Sequence, residues 1–194
     1  VYYVYAYAKL LKYEEIKEGE QINVVVPTGN FGNILAAYYA KQMGVPIDML
    51  VCASNENKVL FDFFKSGTYD RNREFVLTNS PSMDILISSN LERLIYLAAG
   101  EDAEKTRELM EELKKDGHYT VTSGMEEKLS DFAAGYTDED KTKESIRRVY
   151  KRTGYVMDTH TAVACHVCEE YMKESNDAKK CVIASTASPY KFVH

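Results

Sequence analysis

Hydrophobic positions change period once in a way that organises the whole chain. Residues 22–26 are a run dominated by β-branched side chains, which predicts a buried strand. Pro27, Thr28, Gly29 and Asn30 stop it. From Phe31 the spacing becomes helical, with Ile34, Leu35, Tyr38 and Tyr39 on one apolar face. The helix should run to about Met43, where Gly44 caps it and Pro46 prevents continuation. Residues 48–53 read as a second strand and 57–65 as a second helix, closed by Ser66 and Gly67. Strand, helix, strand, helix implies a parallel sheet with right-handed crossovers. Ligands of such sheets sit beyond the carboxyl ends of the strands, which is where residues 29–33 and 54–57 fall.

The remaining pattern is mostly helical. Residues 1–13 carry Tyr2, Tyr3, Tyr5, Tyr7 and Tyr13 among helix-favouring Ala6, Ala8, Leu10 and Leu11. These tyrosines are read as packing against neighbouring protein. Residues 90–99 have an apolar face of Leu91, Leu94, Ile95 and Ala98. Residues 103–115 place glutamates early and lysines late, which suits the helix dipole. Residues 138–152 follow Thr137, taken as the cap. Their basic end, Arg147, Arg148, Lys151 and Arg152, is read as a solvated helix terminus. A helix over 161–173 follows Asp158, Thr159 and His160, and 181–185 form the last strand.

Charge and cysteine content narrow the function classes. A net charge of −6 over 194 residues argues against nucleic acid or an anionic membrane as partner. No run is apolar enough to span a bilayer and no signal-peptide pattern is present, so a cytoplasmic location is expected. The length suits a single α/β domain over residues 1–194. With a start within a predicted helix and a stop soon after a predicted strand, the chain is expected to be a piece of a larger protein. Cys165 and Cys168 form a Cys-x-x-Cys around His166, and thiolate and imidazole suit zinc. The motif lacks a second pair and alternates with Ala162, Val163 and Ala164, so it is read as a core stripe with no metal. The four thiols are expected free and reduced.

The strand–turn–helix join carries the candidate chemistry. Gly29 and Gly32 admit backbone angles closed to other residues and leave room beside the main chain. A helix start has free N–H groups and a positive dipole end, a natural phosphate seat. The spacing fits neither the P-loop nor the Gly-x-Gly-x-x-Gly fingerprint. Glycines alone leave tight packing and ligand approach both open.

The strings themselves are more specific. Pro27-Thr28-Gly29-Asn30-Phe31-Gly32-Asn33 resembles the phosphate loop of the threonine synthase family, within the fold-type II pyridoxal-phosphate enzymes. Cys52-Ala53-Ser54-Asn55-Glu56-Asn57, Ser80-Pro81-Ser82-Met83-Asp84-Ile85, Ser88-Ser89-Asn90-Leu91-Glu92-Arg93 and His160-Thr161-Ala162-Val163-Ala164 are similar to that family too, in family order. Thr186-Ala187-Ser188-Pro189-Tyr190-Lys191-Phe192 resembles its closing motif, with Ser188 in place of a histidine and Tyr190 in place of a small residue. Thr159 replaces a proline.

The resemblance implies a three-layer α/β fold, a mostly parallel sheet flanked by helices like the large domain of tryptophan synthase β. It implies pyridoxal 5'-phosphate as cofactor, cradled by Gly29, Asn30, Phe31, Gly32 and Asn33, with the Thr186 hydroxyl meeting the pyridine nitrogen. No lysine here sits in the family's Schiff-base motif, which lies in an N-terminal domain before this segment. The implied parent enzyme converts O-phospho-L-homoserine and water to L-threonine and phosphate, this chain alone being inactive and carrying no catalytic residue. Two alternatives stay open: a threonine-synthase-like phospho-lyase releasing a 2-oxo acid, and a non-catalytic module binding a phosphate ligand.

Overall fold

In the computed structural model, which describes residues 1–191, two strands form the centre of a parallel sheet. They are β1 (Ile22–Pro27) and β2 (Ile47–Ser54), paired in register from Val24 opposite Leu50 to Pro27 opposite Ala53. β5 (Phe132–Tyr136) extends the sheet beyond β2, and β6 (Cys181–Ile183) beyond β1, giving the order β5-β2-β1-β6, all parallel. Val25 and Val51 are fully buried, because both faces of the sheet are covered. This is why the strands read as continuous apolar runs and not as alternating ones.

One face packs against α2 (Gly32–Gln42) and α3 (Val59–Ser66), with α4 (Leu91–Ala98) lying against α2, and Val24, Val26, Leu50 and Cys52 share one core with Ile34, Phe63 and Leu94. α1 (Tyr2–Lys12) adds Tyr3 and Tyr7 to the same core. On the other face Val25, Val51 and Ala53 meet Val163, Ala164, Val167 and Cys168 of α8 (Thr159–Ser175). α7 (Glu139–Thr153) lies on α8 through Val149 and Ala162. The arrangement is three-layered, as expected. Cys165 and Cys168 both lie in these cores. No helix among the described residues is long and apolar enough to cross a membrane.

Several local expectations change. Asp138, not Thr137, caps α7, its carboxylate accepting from Lys141 N at 2.8 Å. A carboxylate at that point also meets the positive helix end, which a threonine hydroxyl does not. Tyr39 is 43% exposed, and Ala37 and Ala40 complete the buried face of α2 in its place. β5 carries no strand signal, since Phe-Ala-Ala-Gly-Tyr has little β-propensity. It forms because β2 offers it a register and Gly135 lets it approach α8: a β-carbon there would sit 2.6 Å from Val167 Cγ1. A separate antiparallel pair, β3 (Thr68–Asp70) with β4 (His118–Thr120), brackets α4 and α5 (Ala103–Asp116). Tyr69 and Tyr119 stack across it at 5.5 Å, with planes 5° apart. The short α6 (Ser123–Lys128) follows it.

Candidate active site

The register of β1 and β2 sets their carboxyl ends side by side, and Thr28 N donates to Ala53 O at 2.9 Å. Beyond that point the chain turns into α2. Phe31 makes the turn. It is the residue before the helix, with φ +64°, and its carbonyl accepts the first helical bond from Leu35 N at 3.0 Å. A left-handed phenylalanine costs about 1 kcal/mol or more. Its ring offsets that, being 1% exposed and packed on Phe64 at 6.0 Å and Phe132 at 5.7 Å.

The glycines serve other ends than expected. Neither Gly29 nor Gly32 has positive φ. A β-carbon on Gly29 would lie 2.5 Å from the Ser82 carbonyl oxygen, and one on Gly32 would lie 3.2 Å from Asn90 Nδ2. At Gly29 the vacant space is therefore filled by protein. The loop is also tied by its carbonyls: Ser88 Oγ donates to Gly29 O at 2.8 Å, and Asn90 Nδ2 to Asn30 O at 2.8 Å. With the oxygens engaged on that side, the donors are left over. Among the described residues no acceptor takes the backbone N–H of Gly29, Asn30, Phe31, Gly32 or Asn33.

Thr186 lies three residues beyond β6 and is exposed. It lines a cavity of about 600 Å³ together with Asn33, Tyr3, Val182 and Ser185. Parallel pairing of β1 with β6 brings these ends together, so two expected site residues 153 positions apart in number, Asn33 and Thr186, share one concavity. Phe192 of the closing motif lies outside the described residues.

Residues missed at the sequence level hold this arrangement. Asp158 caps α8, accepting from His160 N at 2.9 Å and Thr161 N at 3.3 Å. It also takes the Thr161 hydroxyl and meets His160 Nδ1 at 3.1 Å. Burial alone pushes this carboxyl up, but the hydrogen bonds from His160 and Thr161 outweigh it and hold the pKa below the usual aspartate value. His160 Nε2 accepts from Ser82 N at 3.2 Å, so the ring's proton sits on Nδ1, facing Asp158. Thus one imidazole binds the residue whose carbonyl backs Gly29. On the other side Tyr69 OH donates to Leu86 O at 3.0 Å and accepts from Ser88 N at 2.8 Å, positioning the serine that holds Gly29 O. Ser82, Ser88, Asn90 and His160 stood in strings already singled out, but nothing in their spacing pointed to these contacts. Tyr69 carried no signal.

Comparison with known proteins bears on the whole assembly. Pyridoxal-phosphate-bound threonine synthase from Brucella melitensis matches with a TM-score of 0.89 at 38% identity, over 98% of this chain and 39% of that one. The architecture is that of the fold-type II pyridoxal-phosphate enzymes. The sequence is 44% identical over 194 residues to threonine synthase-like 1 of Pongo abelii and 41% identical over 191 residues to threonine synthase of Saccharomyces cerevisiae. These alignments cover 99% and 91% of this chain. The chain is a homologue of the threonine synthases along nearly its whole length. It spans 26% of the first relative and 37% of the second. No protein-family model matches it.

Proposed function

We propose that this chain is the cofactor-phosphate half of a pyridoxal-phosphate-dependent threonine synthase, acting on O-phospho-L-homoserine and water to give L-threonine and phosphate. Residues 1–194 are read as one α/β domain, the C-terminal part of the enzyme, with the lysine that attaches the cofactor supplied from upstream. The observation that carries the reading is the set of amides at residues 29–33 that meet no acceptor among the described residues. They stand at the start of α2, and their last member, Asn33, opens onto the cavity that Thr186 also lines.

These residues fit the group. Backbone amides at a helix start suit a phosphate dianion, and they need no side chain that a neighbour has already taken. The Thr186 hydroxyl suits a pyridine nitrogen because it donates or accepts without imposing a charge. The bound cofactor supplies an electron sink for carbanion chemistry. The chain's own part is to hold and orient. Gly29, Asn30, Phe31, Gly32 and Asn33 hold the phosphate, Thr186 sets the ring's electronic character, and the apolar walls Val182 and Ile183 exclude water on one side.

The test is product analysis. The full-length protein encoded by the parent gene, given O-phospho-L-homoserine and cofactor, should release threonine and phosphate in equal amounts. A 2-oxo acid in place of threonine identifies the phospho-lyase, a reading that Ser188 and Tyr190 at the closing motif keep open. Binding of cofactor without turnover identifies a non-catalytic module.

A further inference from the structure

Tyr3 lies outside the strings that carry the family likeness, yet its hydroxyl donates to Asn33 Oδ1 at 2.7 Å from 30 residues away. The contact is built in. Tyr3 is 7% exposed, and burial pushes its phenol above the usual tyrosine range, so it keeps its proton. A side-chain amide has a donor end and an acceptor end, and nothing intrinsic decides which way it faces. Here the phenol donates to Oδ1, and that contact holds the amide in one of its two orientations. Nδ2 of Asn33 then takes no acceptor among the described residues, while Tyr3, Asn33 and Thr186 line the same cavity.

We propose that Tyr3 is a positioning residue that turns the Asn33 amide so that its NH2, and not its oxygen, meets the phosphate of the bound cofactor. This rests on the reading of residues 29–33 as the phosphate cradle. A phosphate dianion only accepts, so a carbonyl oxygen turned toward it repels and an NH2 adds one donor to the backbone set. Tyr3 acts through Asn33 and does not itself touch the cofactor.

The experiment uses the full-length protein with pyridoxal 5'-phosphate as probe. It compares Tyr3→Phe, Asn33→Ala, the double variant and Gly32→Val. Tyr3→Phe and Asn33→Ala should each weaken cofactor binding by about tenfold. The double variant should bind no worse than Asn33→Ala, since both changes remove one function. The phosphorus NMR line of the bound cofactor should move in Tyr3→Phe with the unfolding midpoint nearly unchanged. A packing role alone predicts additive losses and an unmoved phosphorus line, which overturns the proposal. Wild-type affinity in Tyr3→Phe beside lost binding in Gly32→Val overturns this inference alone. A wild-type protein that binds no cofactor overturns it together with the cradle reading.

Discussion

The carbonyl oxygen of Ser82 stands 2.5 Å from the point where a β-carbon on Gly29 would be, so this glycine is held face to backbone by another segment of the chain. His160 sets that segment by accepting from Ser82 N. Backbone yields less readily than the end of a side chain. Gly29→Ala should therefore cost about 1–3 kcal/mol. Gly32→Ala, whose neighbour is the tip of Asn90 at 3.2 Å, should cost less. Urea midpoints of the two variants check the order, and a Gly29→Ala as stable as wild type contradicts the contact.

Phe31 combines a left-handed backbone with a buried ring, and substitution separates the two. Phe31→Ala removes the ring and should cost about 3–5 kcal/mol. Phe31→Gly removes the ring as well but relieves the φ of +64°. The glycine variant should be at least as stable as the alanine one, the reverse of the usual order within regular structure. Equilibrium denaturation of both variants measures it. A glycine variant clearly less stable than the alanine one shows that the turn carries no strain.

Asp158 makes a pH prediction. Its carboxyl titrates lower in the folded chain than the ordinary value of 3.8. A group depressed in this way contributes stability above its unfolded pKa and loses that contribution as pH falls through the folded one. Asp158→Ala should cost about 1–2 kcal/mol at neutral pH by loss of the cap alone. Its deficit against wild type should shrink as the pH drops below about 4. A deficit that stays constant down to strongly acidic pH assigns the loss to packing and not to the carboxylate.

For Thr186 the isosteric change is to valine. If the hydroxyl meets the pyridine nitrogen in the full-length enzyme, Thr186→Val should lose about 1–3 kcal/mol in kcat or in cofactor affinity. The absorption band of the bound cofactor should shift with it. Unchanged kinetics together with an unchanged spectrum exclude the contact.

The 194-residue chain by itself should make no threonine. Mixed with cofactor and reduced with borohydride, it should show no lysine labelled uniquely and stoichiometrically, because the attaching lysine is read as lying upstream. Peptide mapping by mass spectrometry reads this out. One lysine labelled one-to-one, with turnover, sinks that part of the reading.

What was legible from the residues alone is local. β1, α2 and the turn between them followed from β-branched runs, helical spacing and glycine punctuation, which act within a few positions of one another. The family strings single out residues 29–33 and Thr186 as candidates because such strings are contiguous in the chain. The helical face Leu91, Leu94, Ile95 and Ala98 is buried throughout, as its spacing required.

What only the tertiary structure decided depends on groups that meet across the chain. β5 exists because β2 supplies hydrogen-bond partners that its own weak propensity does not call for. The space beside Gly29 is taken by Ser82, and the strain falls on Phe31 because aromatic packing offsets it. The orientation of the Asn33 amide comes from Tyr3, 30 residues away. Sequence pattern reports short-range preference and the period of burial. It holds no record of which distant donor closes on which acceptor, because that is set by the packing of all the layers at once.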